Sequence, residues 1–344
     1  MKQKSLSVKN KINKQTFSYL KDKKISQIYK KFESTLDINS KLAVALSGGP
    51  DSLALVFLTR CFALKYNLNV KYFIVDHKLR RESSFEAKIV VKNLKKFGIY
   101  CKILSWIGKK PSNNIQSIAR ENRYKLLIRE CKKNNIQNIL FGHHLDDLFE
   151  NFFIRFLRGS GLKGLISLSK NTQYKESNIN ILRPLLDFEK KDLIYLSKKV
   201  FNFYIEDSSN KNENFKRIRV RMLLKKLQKE GLDKNKFLLT LNNLKDSDQS
   251  IKFYVDKNIR KNSKFFKKKN TFILNSIFFE QSHEIIFRSL SRIIKIMGEK
   301  YYAARGKSVN EVISKIKSNS LRKVTLGGCF IEKINKTVLI YKEH

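Results

Sequence analysis

The sequence is poor in acidic residues and in cysteine, and it contains no long apolar run. Only 30 Asp and Glu oppose 72 Lys and Arg, which leaves a net charge of +42 and excludes the acidic surface of an ordinary cytosolic enzyme. The 4 cysteines include no Cys-x-x-Cys pair, which argues against a disulfide framework, a zinc ribbon and an iron–sulfur cluster. No run reaches the roughly 18 apolar residues that a membrane span requires, so we predict no membrane contact.

The first residues lack the features of a targeting signal. The stretch MKQKSLSVKNKINKQTF is basic but has no apolar core, which argues against a secretory signal peptide. An Arg-rich transit peptide is not indicated either, because the first arginine is Arg60. We therefore expect a cytoplasmic protein with reduced, buried cysteines.

The basic excess predicts a polyanionic partner, and a nucleic acid is the first candidate. Of the 72 basic residues, 55 are Lys and 17 are Arg. A Lys-rich excess is the weaker signal, because compositional drift also produces it and because the planar guanidinium of Arg is the better reader of phosphates and bases.

Apolar runs and periodic segments alternate from Lys41 onward. Short runs rich in Val, Ile and Leu predict buried strands, and the segments between them have the length and spacing of helices. The predicted strands are 42–46, 70–75, 100–104 and 138–141, and the predicted helices are 51–66, 83–97, 113–133 and 145–158. This alternation is typical of an α/β fold in which helices cover both faces of a parallel sheet. Ligands of such sheets bind beyond the carboxyl ends of the strands.

Changes of composition along the chain predict four segments. A polar lead-in with one short amphipathic helix covers 1–39, and the parallel-sheet nucleotide-binding domain covers 40–230. A helical linker rich in Lys and Asn covers 231–279, and a small α+β domain with two helices and two strands covers 280–344.

The strongest local signal is a Gly-rich turn between the first strand and the first helix. It consists of Ser47, Gly48, Gly49, Pro50, Asp51 and Ser52. The two glycines allow a tight turn with bare N–H groups, the serine hydroxyls add donors, and the helix N-terminus favours anions. No Lys follows as in a Walker loop, so transfer of a γ-phosphate is not implied. The alternative interpretation is a plain helix cap beside a Gly turn.

A second signal, which we name the acidic island, consists of Asp146, Asp147 and Glu150 after the fourth strand. No Lys or Arg occurs between positions 134 and 154 of this basic chain. Carboxylates beside a phosphate site suggest a place for a cation, either Mg²⁺ or an ammonium group. The alternative is that they only complement the helix dipole. The adjacent His143 and His144 point in different directions and make a poor zinc pair.

Two basic segments follow the acidic island. The first, 158–165, packs three glycines among Arg158 and Lys163, and the second carries Arg217, Arg219 and Arg221. Alternate residues share a face only on an extended segment and fan around a helix, so an RNA contact and a solvated surface are both open interpretations.

Taken together, these segments resemble one family, the tRNA(Ile)-lysidine synthases of the PP-loop ATPase superfamily. The matching motifs are SGGPDS, VDHKLR (75–80), ARENRY (119–124), GHHLDDLFEN (142–151), RGSGLKGL (158–165), RPLL (183–186), EDSSN (206–210) and LGGCFI (326–331). Two positions depart from the family pattern, because Asn151 stands where Thr is common and Ile218 stands where Asn is common.

The resemblance implies a PP-loop, adenine nucleotide alpha hydrolase-like domain that uses ATP, Mg²⁺ and L-lysine to modify the first anticodon cytidine of a CAU-anticodon tRNA(Ile). It assigns ATP binding to Ser47–Ser52, phosphate stabilisation to Arg120 and Arg123, catalysis or lysine binding to Asp76, Asp147 and Glu150, and a Mg²⁺ ligand to Asp146. It assigns tRNA contacts to Arg158, Lys163, Arg217, Arg219, Arg221 and the domain 280–344. A homodimer is one alternative for the assembly state.

Two other functions compete with this one. Another PP-loop tRNA enzyme, such as a 2-thiolation catalyst, commonly uses paired or cluster-binding cysteines, and this sequence has no such pair. A non-catalytic RNA-binding protein on a decayed nucleotide fold would bind RNA without turning over ATP. The intact Gly-rich turn and the uninterrupted acidic island speak against it.

Overall fold

A six-stranded sheet forms the centre of the first of two units, Met1–Leu232. The computed structural model describes residues 13–79, 82–108, 115–174, 177–205, 216–299 and 304–343. The strands are β1 (Leu42–Leu46), β2 (Val70–Asp76), β3 (Cys101–Ser105), β4 (Asn138–Phe141), β5 (Asn171–Gln173) and β6 (Asn180–Leu182). Their order is β3-β2-β1-β4-β6-β5, and all run parallel except the edge strand β5. The predicted α/β fold with a parallel sheet is confirmed, and β5 and β6 are additions.

Helices connect these strands and complete the core. They are α1 (Lys23–Glu33), α2 (Pro50–Lys65), α3 (Ser83–Lys96), α4 (Ile115–Lys133), α5 (Leu145–Phe156), α6 (Leu162–Leu165), α7 (Lys190–Phe201) and α8 (Lys216–Lys229). All five residues of β1 are buried, and α2 is apolar around most of its circumference, as a helix packed between a sheet and α7 must be.

The lead-in helix α1 is part of this core. Ile25, Ile28, Tyr29 and Phe32 are buried at helical spacing and pack into the same apolar cluster as α2. Asp22 caps the helix, because its side chain accepts hydrogen bonds from the N–H groups of residues 24 and 25. The predicted amphipathic helix within 1–39 is therefore present and docked, while residues 1–12 lie outside the described part of the chain.

The second unit, Asp233–His344, is an α+β assembly around an antiparallel sheet. Its elements are α9 (Lys234–Asn262), β7 (Ser263–Phe266), β8 (Thr271–Leu274), α10 (His283–Gly298), α11 (Gly306–Lys317), β9 (Lys323–Leu326), β10 (Cys329–Ile334) and β11 (Thr337–Lys342). The strand order is β7-β8-β11-β10-β9. Apolar side chains of α10 and α11 share one core with one face of this sheet.

The second unit differs from the predicted division at 231–279. That stretch was expected to be a separate helical linker, yet α9 packs on α10, and β7 and β8 belong to the five-stranded sheet. Two strands were expected in 280–344, but the structure has three there, because Gly327 and Gly328 both have positive φ and turn the chain between β9 and β10. No described helix is long and apolar enough to cross a membrane.

Candidate active site

The two strongest sequence motifs meet at the centre of the parallel sheet. β1 pairs with β2 on one side and with β4 on the other, so the direction of strand order reverses between β1 and β4. The turn Ser47–Ser52 follows β1, and the segment Gly142–Asn151 follows β4. A crevice at such a switch point is where open α/β sheets bind their ligands.

The Gly-rich turn is held together by its own serines. The backbone N–H of Ser47 donates to Ser52 Oγ at 3.2 Å, and Ser52 Oγ donates to the carbonyl of Gly49 at 2.9 Å. Gly48 adopts a φ of +85°, and a Cβ at this position would lie 2.7 Å from Val90 Cγ2 on α3. The turn is therefore built for a glycine. Gly49 is the N-cap of α2 and Pro50 is its first residue, one position before the predicted start at 51.

Gly142 brings the second motif into direct contact with the first. A Cβ at position 142 would lie 3.3 Å from the carbonyl carbon of Asp51 and 3.3 Å from the Cα of Ser52. Only a glycine allows this approach without displacing the backbone. The start of α2 and the turn before α5 are thus packed backbone to backbone.

His144 links the two motifs electrostatically, a role that was not predicted from the sequence. It is the N-cap of α5, and its Nδ1 accepts the backbone N–H of Asp146 at 3.3 Å. This hydrogen bond places the imidazole proton on Nε2. Nε2 lies 3.5 Å from Asp51 Oδ2 and 3.6 Å from Asp147 Oδ2, so the buried ring stands between two carboxylates.

The carboxylates around His144 have opposite pKa shifts. Burial raises the pKa of Asp51 above its ordinary value, and His144 only partly offsets it. Burial also acts on Asp147, but His144, His143 and Arg217 outweigh it, so the pKa of the Asp147 carboxyl is lowered. Asp147 therefore remains ionised over a wider pH range than Asp51.

Glu150 is already paired with two arginines of α8. Its side chain is 1% exposed, and its oxygens lie 2.5 Å from Arg221 Nε and 3.4 Å from Arg217 Nε. Arg217 also reaches Asp147, at 3.8 Å. Burial raises the pKa of Glu150 against the attraction of Arg221. The acidic island is thus partly neutralised by Arg217 and Arg221, which were predicted to contact tRNA.

The helical state of α8 explains this arrangement. Arg217 and Arg221 are four residues apart and share one helix face, which lies against α5. Arg219 projects elsewhere and is exposed. The expectation that three arginines at alternate positions would fan around a helix overlooked this i, i+4 pair.

The similarity to known proteins agrees with this geometry. The model of a family described as a PP-loop domain matches residues 19–227. The chain is 33% identical over 313 residues to a tRNA(Ile)-lysidine synthase of Orientia tsutsugamushi, with 89% of this chain and 70% of the relative covered. It is 34% identical over 310 residues to a tRNA(Ile)-lysidine synthase of Wolbachia pipientis wMel, with 89% and 71% covered. The chain belongs to the tRNA(Ile)-lysidine synthase family.

A solved structure also shares the fold of this family member. The U34-tRNA thiolase NcsA from Methanococcus maripaludis, described with its [4Fe-4S] cluster, matches with a TM-score of 0.56 and 22% identity. The match covers 65% of this chain and 80% of the thiolase chain. At this identity the likeness concerns the fold alone.

The buried carboxylate of Asp76 joins two elements of this lysidine synthase family member. It is buried at the end of β2, and its carboxylate accepts hydrogen bonds from Ser83 Oγ at 2.8 Å, Ser84 Oγ at 2.6 Å and the N–H of Lys78 at 3.0 Å. Burial raises its pKa, but these hydrogen bonds outweigh that effect and leave the pKa lowered. The carboxylate ties β2 to the start of α3.

The two arginines predicted to stabilise phosphates lie on α4. Arg123 Nε donates to His77 Nε2 at 3.2 Å, just beyond β2. Arg120 is exposed and lies over the ring of Tyr124, with its guanidinium carbon 5.4 Å from the centroid. Burial, together with Arg123, lowers the pKa of His77 to about 4, so this ring is neutral at pH 7.

Two of the predicted tRNA contacts, Arg158 and Lys163, follow α5. Arg158 is exposed in the turn after α5, close in sequence to the exposed side chains of Phe156 and Leu157, and Lys163 is exposed on the short helix α6. Of the resemblance motifs, EDSSN (206–210) lies outside the described residues, and so does the last residue of VDHKLR. Arg183 of RPLL is buried and donates through Nη1 to the carbonyl of Ser169 at 2.9 Å, which fixes the loop before β5.

One buried oxygen near the Gly-rich turn suits a divalent cation. Asp51 Oδ1 is buried without a hydrogen-bond partner among the described residues. Mg²⁺ commonly takes one or two carboxylates and completes its shell with water and phosphate oxygens. Within the described ranges, no three His, Cys, Asp or Glu side chains form a ready-made metal cluster. Asp51 therefore fits a Mg²⁺ that arrives with a nucleotide, and Asp146 remains a predicted ligand.

Proposed function

We propose that this chain joins L-lysine to C2 of the first anticodon cytidine of a CAU-anticodon tRNA(Ile), giving lysidine, AMP and pyrophosphate. The product reads AUA instead of AUG. The reaction is a ligation that forms a carbon–nitrogen bond through an adenylated cytidine. The observation that carries the proposal is the meeting of the Gly-rich turn and the acidic island at one switch point, in a chain that belongs to the tRNA(Ile)-lysidine synthase family.

The first half-reaction transfers AMP from ATP to the C2 oxygen of the cytidine. The N–H groups of the Ser47–Ser52 turn and the N-terminus of α2 suit the leaving pyrophosphate. Mg²⁺, when bound with ATP at Asp51 and Asp146, would supply positive charge next to the phosphates. Arg120 and Arg123 are our candidates for additional positive charge at the α-phosphate.

The second half-reaction needs a lysine whose ε-amine has lost its proton before it displaces AMP. Asp147 is the candidate for binding the ammonium group, because its lowered pKa keeps it ionised. Burial raises the pKa of Glu150, which favours proton acceptance, but Glu150 is held by Arg217 and Arg221. We therefore assign Glu150 to positioning these two arginines, and Asp76 to positioning α3.

The cysteines favour ligation over thiolation. Burial raises the pKa of the Cys61, Cys101 and Cys131 thiols to about 12, which leaves them protonated at neutral pH. They stand on three different elements, and Cys329 lies in the second unit. Sulfur transfer or cluster binding needs thiolates that act together, and this arrangement does not favour it.

We propose tRNA contacts for the exposed side chains of Arg158, Lys163 and Arg219 and for the second unit. Arg217 and Arg221, which pair with Glu150, are further candidates. The exposed basic side chains suit a phosphate backbone. A homodimer stays a prediction, and a change of apparent mass with concentration in sedimentation would test it.

Incorporation of labelled L-lysine into a CAU-anticodon tRNA(Ile) transcript tests the reaction. We expect ATP-dependent labelling that is lost when the first anticodon cytidine is replaced. The Asp147→Asn variant should raise the KM for lysine more than the KM for ATP, whereas Glu150→Gln should affect both. Release of pyrophosphate on adding tRNA, without labelling, would keep the adenylation and refute lysine as the nucleophile.

A further inference from the structure

The five-stranded sheet of the second unit has two unlike faces. Residues that pair directly across neighbouring strands lie on the same face, so the register assigns each side chain. Cys329, Ile331, Val338 and Ile340 lie on the face that packs against α10 and α11, and all four are buried. We call the opposite side the open face, because none of its side chains is buried.

Aromatic side chains form a row across the open face. Phe330 on β10 pairs with Tyr341 on β11, Tyr341 pairs with Thr271 on β8, and Thr271 pairs with Phe266 on the edge strand β7. The rings of Phe330 and Tyr341 are 5.5 Å apart, and Phe266 is 41% exposed. Three aromatic rings are therefore presented along one line of the sheet.

Positive charge surrounds this row. Lys323 Nζ lies 4.3 Å from the centroid of Phe330 and 5.4 Å from that of Tyr341. Lys264 lies on the same face at the other edge, and Lys267–Lys269 follow Phe266 directly in an exposed turn. The acidic residue of the face, Glu332, already accepts a hydrogen bond from the hydroxyl of Tyr341 at 2.9 Å. The open face thus presents aromatic rings with an excess of cations.

We propose that the open face, defined by Lys264, Phe266, Lys323, Phe330, Leu339 and Tyr341, binds unpaired nucleotides of RNA. Every base has a π-face, so aromatic rings on a sheet can stack bases while neighbouring lysines bind the phosphates. Cross-strand aromatic pairs also stabilise sheets, but that role does not require exposed rings or a border of lysines. The inference rests on the proposed function for the identity of the RNA, which would be the tRNA substrate.

The edge strand β7 offers a matched pair of variants. Phe265 and Phe266 are adjacent and each is 41% exposed, yet the register places Phe265 on the helix-covered face, where its ring contacts Phe272 at 4.9 Å. Phe266→Ala should weaken binding of a fluorescein-labelled oligouridine and of the tRNA transcript by about 5- to 150-fold, the range for loss of one stacked base. Phe265→Ala should leave both affinities unchanged.

Fluorescence anisotropy with the full chain, at one fixed salt concentration, decides the proposal. Phe330→Ala should reproduce the effect of Phe266→Ala, and thermal melting would check that each variant is folded. If Phe330→Ala unfolds, the Phe266 and Phe265 pair decides alone. Equal affinity for Phe266→Ala and wild type, or equal losses for both edge variants, would overturn the proposal. Lysine incorporation by the wild-type chain is measured in parallel, so that failure of the reaction with an intact binding pattern refutes only the proposed function.

Discussion

Removal of the Arg221 guanidinium should destabilise the first unit, because it leaves Glu150 with one partner in a buried place. Glu150 is 1% exposed and Arg221 is its nearer partner, at 2.5 Å, whereas Arg217 lies at 3.4 Å. Breaking a buried ion pair costs about 3–5 kcal/mol. Since Arg221 is 32% exposed and Arg217 remains, we expect Arg221→Ala to lower the free energy of unfolding by about 2–3 kcal/mol.

The sequence provides both the probe and the control for this measurement. Trp106, the 1 tryptophan of the chain, lies in the first unit and donates its backbone N–H to the carbonyl of Asp76, so its fluorescence in urea follows that unit alone. Arg219→Ala removes the same charge from an exposed position of the same helix, and we expect a cost below about 1 kcal/mol, as for a solvent-exposed interaction. In a Glu150→Gln background, Arg221→Ala should cost less than about 1 kcal/mol.

The pH dependence of stability tests the pairing of Glu150 with Arg221 independently. The pKa of Glu150 is raised in the folded protein, so just above pH 4.5, the ordinary pKa of Glu, the folded state binds more protons than the unfolded state. The free energy of unfolding therefore falls as the pH rises through this window. Loss of Arg221 raises this pKa further, so the cost of Arg221→Ala should be larger at pH 8 than at pH 5. Equal costs for Arg221→Ala and Arg219→Ala, or a coupling energy under about 0.5 kcal/mol, would refute the described pairing.

Three further outcomes are expected. Ser52→Ala should reduce tRNA-dependent ATP–pyrophosphate exchange by roughly 100-fold or more, because it removes the hydroxyl that braces the Gly-rich turn; exchange at the wild-type rate would refute the site. Gly48→Ala should destabilise the chain by more than Gly231→Ala in urea titrations, since both have positive φ but only Gly48 would clash, with Val90; equal losses would show that strain alone matters. His77→Gln should reduce the loss of stability between about pH 6.5 and 4. In the wild type the unfolded state binds a proton at His77 in this window and the folded state does not, so the free energy of unfolding falls as the pH falls. An unchanged slope of stability against pH in acid titrations would contradict the buried, neutral ring.

The elements that were predicted well are those whose signal is local. β1 and β4 have the predicted bounds, because near-continuous Val, Ile and Leu runs are buried on both faces in a parallel sheet. The missed strands β5, β6, β7 and β8 have three or four residues each. β5 and β7 pair with the next strand along the chain, but β6 pairs with β4 and β8 pairs with β11, which are distant in sequence. SKFF and TFIL stand in a Lys- and Asn-rich stretch whose composition resembles a linker.

The candidate site also combines features that the local sequence predicts with features that depend on packing. The turn Ser47–Ser52 and the acidic island could be placed from sequence, because each motif fixes its own backbone. The pairing of Glu150 with Arg217 and Arg221 needs the packing of α8 on α5, and Arg221 is 71 residues away from Glu150 in sequence. A signal did exist, since residues 217 and 221 are four apart and share one face on any helix through this segment. The role of His144 could not be predicted from the sequence, because it depends on short distances to two carboxylates that only the fold brings close to the ring.

The edge strands of the second sheet have a consequence for the protein in concentrated solution. β7 and β9 each leave backbone N–H and C=O groups unpaired at a sheet edge, which is a template for adding a strand from another molecule. Both carry exposed lysines, Lys264 and Lys323, and the exposed Arg322 precedes β9. A second copy that approached either edge would bring like charges together and would desolvate them. The sheet is thereby protected against polymerisation, although it keeps an uncovered face with apolar side chains.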